Sequence, residues 1–563
     1  FTGSGTHIIL GATDFYNLKD DDAGSTLVFE KQGATSSVIF GLTGTLTLNG
    51  AAGNLIKVQS NDLSMPDVPE KCWRLNNSTT QPSSIHYVSV WNSIANLTVT
   101  AKSSVDNTDN NTNWIFDVYW LLTGTNDANL DTNWSTGSVP GVNDIVYIPA
   151  PDLSGSAQPE QSGHFNSKNM YIYAGATWKN NGYNLTIKKV DGFYNNGTFI
   201  YSGSGAVSLN TKVITGTFEY SGTTGNCTFN SDITNYNNLI VSGGTIAATT
   251  VNVAQNTSVT GGTLVIPAGE TITVSGTTAE VIVDAASGSA TLEIQSDGTT
   301  PGSLVVNDGG TGYRPVTIAS DGILASSGTI TCGDFLSAGA INNHATYPNT
   351  INAHGNVQAT GTTFSNPAQS TIAFSGTGDQ TADLSTDSSV GTITCSKPSG
   401  SVDFSTGFTA VAITTAAAPN NAFSLAFNSA ADGQTTTIST TTLTTIANTG
   451  TLTFGNHSED AFNLNGALTA TAPSTVYLAG TLSTTADAVT LGVSSLATDA
   501  TVSTSGGAIS FTQTLDGAHD LTIENGAGLV TFTGIVGGTA PLGDGTGAAL
   551  TVTGNAAVNT TAV

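Results

Sequence analysis

Hard oxygen donors crowd two short stretches of this chain, Asp106-Asn107-Thr108-Asp109-Asn110-Asn111-Thr112-Asn113 and Asp20-Asp21-Asp22. Carboxylates, amide carbonyls and hydroxyls on a turn are what calcium takes as ligands, so Asp106, Asp109, Asp20, Asp21 and Asp22 are the candidate metal residues. The competing reading is a solvated corner, where Asn and Asp satisfy their own backbone groups. The EF-hand pattern of a central Gly and a closing Glu is absent. Calcium is the single cofactor this composition suggests.

Other reactive residue types are scattered. Seven His (His7, His86, His164, His344, His354, His457, His519) stand singly, without the close spacing of a zinc site. Cys72, Cys227, Cys332 and Cys395 form neither a disulfide framework nor a metal knuckle, and read as small buried hydrophobes. A glycoside hydrolase needs two carboxylates about 5–10 Å apart. The tight late acidic pairs are Glu459-Asp460, whose neighbours on a strand would face opposite ways, and Asp516 with Asp520. No Gly-x-Ser-x-Gly elbow with a plausible triad and no phosphate loop ending in Lys is present. No catalytic residue is assigned, and the chain reads as non-enzymatic. Tyr171, Tyr173, Trp178, Tyr183, Phe193 and Tyr194 suit either a sugar-stacking face or, more simply, core packing.

Charge narrows the partners. Asp and Glu number 40 against 13 Lys and Arg, a net charge of −27, which opposes nucleic acid and anionic membrane surfaces. Eleven of the 13 basic residues lie at or before Lys212; only Arg314 and Lys397 follow, and positions 398–563 hold none. A surface with so few cations must be solvated by hydroxyls and amides or neutralised by bound cations, which suits an extracellular setting. No apolar run approaches the roughly 18 residues of a membrane span.

The elements that must position these residues are short strands. Leu-Thr-apolar recurs as Leu46-Thr47-Leu48, Leu97-Thr98-Val99, Leu185-Thr186-Ile187, Leu452-Thr453-Phe454, Leu521-Thr522-Ile523 and Leu550-Thr551-Val552, each in-out-in at period two. Gly and Asn punctuate them, and no long stretch carries the helical i, i+3, i+4, i+7 pattern. Gly197-Thr198-Phe199-Ile200-Tyr201-Ser202-Gly203 returns nineteen residues later as Gly216-Thr217-Phe218-Glu219-Tyr220-Ser221-Gly222. A unit near twenty residues, repeated throughout, predicts an all-β, elongated right-handed parallel β-helix, or solenoid, with Val/Ile/Leu ladders inside and Thr or Asn ladders outside. A string of β-sandwich domains is the alternative.

Four blocks are expected. Residues 1–117 form an irregular β-helix block rich in Trp, and 118–164 a connector containing Asn133-Trp134-Ser135 and Pro140-Gly141; a small β-sandwich-like or irregular insertion fits this N-terminal third. Residues 165–389 carry regular rungs, and 390–563 low-complexity Thr/Ala/Gly rungs that look like part of a longer repeat.

Leu46-Thr47-Leu48-Asn49-Gly50-Ala51-Ala52-Gly53-Asn54-Leu55-Ile56, Tyr87-Val88-Ser89-Val90-Trp91-Asn92-Ser93 and the segment Asn133 to Val146 resemble modules and connectors of very large bacterial surface exoproteins. Gly507-Ala508-Ile509-Ser510-Phe511 through Leu529-Val530-Thr531-Phe532-Thr533-Gly534 is similar to repeats of filamentous-haemagglutinin-like and autotransporter-type adhesins. The resemblance implies a secreted, cell-surface β-helix without catalytic residues. It implies adhesive or structural work. Because a solenoid's unpaired strand edges favour joining another rung, the leading expectation is self-association into a surface layer, sheath or filament, with an adhesin for carbohydrate or host protein second and a tailspike-like polysaccharide depolymerase third.

Overall fold

The computed structural model describes residues 1–558 except 34–37, 52, 64–68, 78–83, 107–110, 123–124, 152–156, 188–191, 203–204, 210–211, 231–232, 286–288, 309, 311, 385–388 and 431. The protein is all-β: short strands, three single 3₁₀ turns and no α-helix among the described residues. The strands assemble into long sheets whose ladders run parallel; antiparallel contacts are isolated bridges such as Trp120 with Trp134. Contacts divide the chain into two compact units, Phe1–Ile240 and Val241–Val563, a coarser division than the four sequence blocks.

In the first unit one parallel sheet takes Thr6–Ile9, Thr26–Phe29, Ile56–Ser60, Val88–Trp91 and Val105–Asp106 in turn. A second runs from Asp14–Phe15 through Ile39–Leu42, Trp73–Asn77, Ser93–Lys102, Thr112–Tyr119, Asp144–Ile148, Asn169–Ile172 and Phe193–Asn195 to Lys212–Ile214. Parallel neighbours cannot be joined by a tight hairpin, so the chain travels through other strands before it returns. Large rings fill the interior, as the Trp content suggests. Trp73, Trp114, Trp120, Trp134 and Trp178 are all buried, and Trp73 stacks on Phe29 at 4.3 Å between centroids. The indole N–H of Trp120 donates to the Ala157 carbonyl at 2.9 Å and that of Trp134 to the Ala128 carbonyl at 2.8 Å, so neither of these two rings buries an orphan donor.

The second unit shows the repeat most plainly. Val251, Ile272, Leu304, Ile330, Ile351, Ile372, Ile393 and Ile413 pair one onto the next in parallel register, and all are buried. A second column runs Val281, Val316, Phe335, Val357, Ala382, Phe404, Phe427, Phe454. The last three rings lie nearly parallel, 5.2 and 5.8 Å apart. Each buried aliphatic side chain contributes about 1.5–3 kcal/mol over an exposed one. Thr329, Thr350, Thr371 and Thr392 stack in register beside the isoleucines, in the partly exposed positions. There β-branching keeps strand preference while the hydroxyl stays near water.

The in-out-in reading holds for Leu46, Leu185, Leu452 and Leu521 with their partners two residues on. It fails at Leu97, which is exposed where the register slips between Ile94 and Val99, and at exposed Leu550. A second difference concerns asparagine. Asn195, Asn343, Asn428, Asn448 and Asn525 are buried rather than ranged outside. Their amides donate along the stack: Asn195 to the Thr217 carbonyl at 2.8 Å, Asn343 to Ser365 at 2.8 Å, Asn428 to Ala461 at 3.0 Å. Buried corners leave backbone carbonyls without water, and the Asn amide supplies the missing donor.

Candidate functional site

The acidic candidates separate onto different partners. Asp20 ends the strand Leu18–Asp20 fully buried, accepting hydrogen bonds from the Ser25 hydroxyl at 2.7 Å and the Asp22 backbone N–H at 3.1 Å. Asp21 pairs with Lys19 at 2.7 Å, and that hydrogen bond holds its carboxyl below the usual range. Asp22 accepts the Gly3 N–H. Asp106 lies in the strand Val105–Asp106, and Asp109 falls outside the described residues. Among the described residues no group of three or more His, Cys, Asp or Glu converges.

One member of each acidic pair, Asp460 and Asp516, is committed to the backbone. Asp460 is buried and accepts the N–H groups of Gln434 at 2.9 Å, Asn456 at 2.9 Å and His457 at 3.1 Å, while Glu459 faces solvent. Asp516 accepts from Thr539 N–H at 2.9 Å. One contact lies outside any local motif, Ser375 Oγ at 3.3 Å from His354 Nε2. That serine gives its proton to Asn352 Oδ1 at 2.6 Å, and the His354 ring lies flat on Tyr313, 3.7 Å between centroids. Cys72, Cys332 and Cys395 are buried thiols, and desolvation pushes Cys395 up to about 12. A thiol so raised is inert at neutral pH.

The aromatic candidates split. Trp178 and Phe193 belong to the core, while Tyr173 and Tyr183 are exposed. Tyr171 and Tyr194 join Tyr119 and Tyr147 in a column on one sheet, registered Tyr119–Tyr147–Tyr171–Tyr194. Centroids are 4.9, 4.9 and 4.6 Å apart, with interplanar angles of 17°, 11° and 3°. Rings stacked this closely cover one another's faces and turn edges outward, so the column braces the sheet more than it offers a platform.

Beside it Asp117 is buried, in register between Lys102 and Ile145. Desolvation raises its carboxyl despite the opposing Lys102 charge and a Tyr147 hydrogen bond, and burial with Asp117 beside it raises the Tyr147 phenol in turn. A carboxyl raised on folding favours the native state below the unfolded value, and that advantage is lost as pH climbs through the folded one. Asp117→Asn is therefore expected to raise the melting temperature at pH 7 and to leave it unchanged at pH 3, where both states carry the proton. Thermal scans of the two proteins at each pH check this.

With the geometry in view, comparison adds no relative: no protein family, curated protein or solved structure matches this chain. What the residues define is a class, an all-β protein of long parallel sheets.

Proposed function

We propose that this chain is a non-enzymatic structural protein of the extracellular space, wound as a right-handed parallel β-helix and joining copies of itself into a surface layer, sheath or filament. The carrying observation is the in-register column from Val251 to Ile413, eight aliphatic residues joined by seven successive returns to one sheet position. Strand–crossover–parallel strand connections are right-handed in about 98% of cases, which supplies the hand. Repeats of this kind bury a core only by stacking on neighbours, and the same backbone pairing can continue between molecules. The support for an enzyme is weaker: Asp20, Asp460 and the Ser375 hydroxyl each serve a local hydrogen bond. The cation-poor, Thr-rich surface supports an external location.

Electron microscopy of the purified chain tests the reading. Ordered polymers or sheets are expected, in amounts that rise with protein concentration. A protein that stays monomeric at every concentration and salt condition sinks it.

A further inference from the structure

Four tyrosines far apart in the chain meet on one sheet of the first unit. Tyr119 in the strand Thr112–Tyr119, Tyr147 in Asp144–Ile148, Tyr171 in Asn169–Ile172 and Tyr194 in Phe193–Asn195 pair one onto the next in parallel register. All four are partly exposed. The tightest pair, Tyr171 with Tyr194, has centroids 4.6 Å apart and planes 3° from parallel. Neighbouring parallel strands repeat about every 4.8 Å. Each phenol oxygen, and the ring carbons ortho to it, therefore lie over their counterparts on the next ring. A second tyrosine cluster lacks this arrangement: Tyr201, Tyr220 and Tyr236 are buried, with rings crossed at 77° and 62°.

A base stands beside the column. Asp117 is buried two residues before Tyr119, and its carboxylate accepts a hydrogen bond from the Tyr147 phenol. A phenol that loses one electron becomes a strong acid, so the electron leaves readily only where an acceptor already holds the proton. Desolvation raises the Asp117 carboxyl and makes it a stronger base than an exposed aspartate. Tyr147 has a stacked ring on either side, at 4.9 Å from both Tyr119 and Tyr171, so an electron deficit formed there can pass to a neighbour. Stacking covers the ring faces. The outward edges, which make the column a poor platform, are where two phenols can couple.

We propose that this column is a site of oxidative modification, where a peroxide-driven one-electron oxidant joins neighbouring tyrosines as dityrosine and Asp117 takes the Tyr147 proton. The modification goes beyond the structural role and does not depend on self-association. Each of two adjacent phenols loses one electron and one proton. The two phenoxyl radicals couple through ortho carbons to form one C–C bond, and the hydrogens on those carbons move to the phenol oxygens. One hydrogen peroxide takes up the two electrons and two protons and leaves as two waters. The product is lighter by two hydrogens. Rings already in contact make the coupling intramolecular, which favours it over the meeting of two separate chains. The new bond closes a loop of chain, as a disulfide does.

The full chain, kept dilute and treated with a haem peroxidase and hydrogen peroxide, tests the site through dityrosine fluorescence and mass spectrometry of its peptides. Cross-linked peptides joining Tyr119 to Tyr147, Tyr147 to Tyr171 and Tyr171 to Tyr194 are expected, at a rate that does not change with protein concentration. Tyr16, Tyr183 and Tyr477, exposed outside the column, should stay uncoupled. Tyr171→Phe should abolish the two cross-links that involve it and keep the one between Tyr119 and Tyr147, whose survival shows that the sheet is still folded. Tyr147→Phe combined with Tyr194→Phe leaves no adjacent pair and should cut the fluorescence roughly tenfold. Asp117→Asn should slow coupling severalfold, and a native rate there overturns the role of the carboxylate. Dityrosine that forms only between chains, or as readily at Tyr16, Tyr183 and Tyr477 as in the column, overturns the site.

Discussion

Ile372→Asp is expected to unfold the middle of the second unit, while Thr371→Asp, one residue earlier, leaves it intact. Ile372 is buried between Ile351 and Ile393 in the isoleucine column. Asp there loses an aliphatic side chain, worth about 2–5 kcal/mol as an Ile→Ala truncation. It also buries a carboxyl with no donor, which costs about 1–3 kcal/mol more even when protonated. The sum is about 3–8 kcal/mol, a large share of the stability of an ordinary domain. Thr371 stands between Thr350 and Thr392 in a partly exposed position, so Asp there finds water and costs within about 0.5 kcal/mol. Denaturant titration and hydrogen exchange over the strands Asn349–Ala353, Ser370–Phe374 and Val390–Cys395 measure both. Because side chains alternate with period two, a register one residue off would reverse the outcome. Equal stability of the two variants would refute the inward column.

How much of this could be read from the sequence follows from what the repeat repeats. The echo of residues 197–203 in 216–222 is the register itself: Thr198, Phe199, Ile200 and Tyr201 pair with Thr217, Phe218, Glu219 and Tyr220. The glycine of each copy is required by close approach, since a Cβ on Gly216 would lie 2.1 Å from the Gly197 carbonyl oxygen. In-out-in triplets were legible because burial alternates locally. The isoleucine column was not legible as a period. It returns every 21 residues from Ile330 through Ile351 and Ile372 to Ile393, but the Gln295–Pro301 loop enters before Leu304 and breaks the spacing.

The tyrosine column hides for the same reason, as Tyr119, Tyr147, Tyr171 and Tyr194 are unevenly spaced in the chain and equivalent only in the sheet. The hollow beside the Gln295–Pro301 loop gathers Glu293, Ser326 and His344 from separate strands and corners, so no local motif announces it. Buried asparagine was misread because polarity suggested the surface. The deciding factor is the unpaired carbonyl of a buried corner, which a one-dimensional pattern does not display.

Lys397→Ala is expected to lower stability by about 3 kcal/mol at pH 7. Lys397 is the last cation of the chain and is wholly buried. Its ammonium donates to the carbonyls of Gly376 at 2.8 Å and Gly378 at 2.9 Å, and to Gln380 Oε1. Gln380 Nε2 in turn donates to the Ala353 carbonyl at 3.1 Å, so one polar relay ties three successive corners together. Removing the amine leaves three buried acceptors unpaired at about 1–3 kcal/mol each, and Ala adds the loss of the buried stem. Relief of a desolvated charge offsets part of that. Lys397→Met keeps the stem and should lose less than Ala.

The pH dependence separates the two contributions. Desolvation pushes the amine down to about 8, against an ordinary value of 10.5. Between those values the unfolded chain holds the extra proton, so native stability rises as pH climbs from 8 towards 10.5. That rise is present in the native sequence and absent from Lys397→Met, so the deficit of the Met variant widens between pH 7 and pH 9.5. Urea titrations of the three proteins at both pH values supply the comparison. An Ala variant within about 0.5 kcal/mol of the native chain at pH 7, or parallel pH profiles for Lys and Met, would show that the corner relay does not hold these turns together.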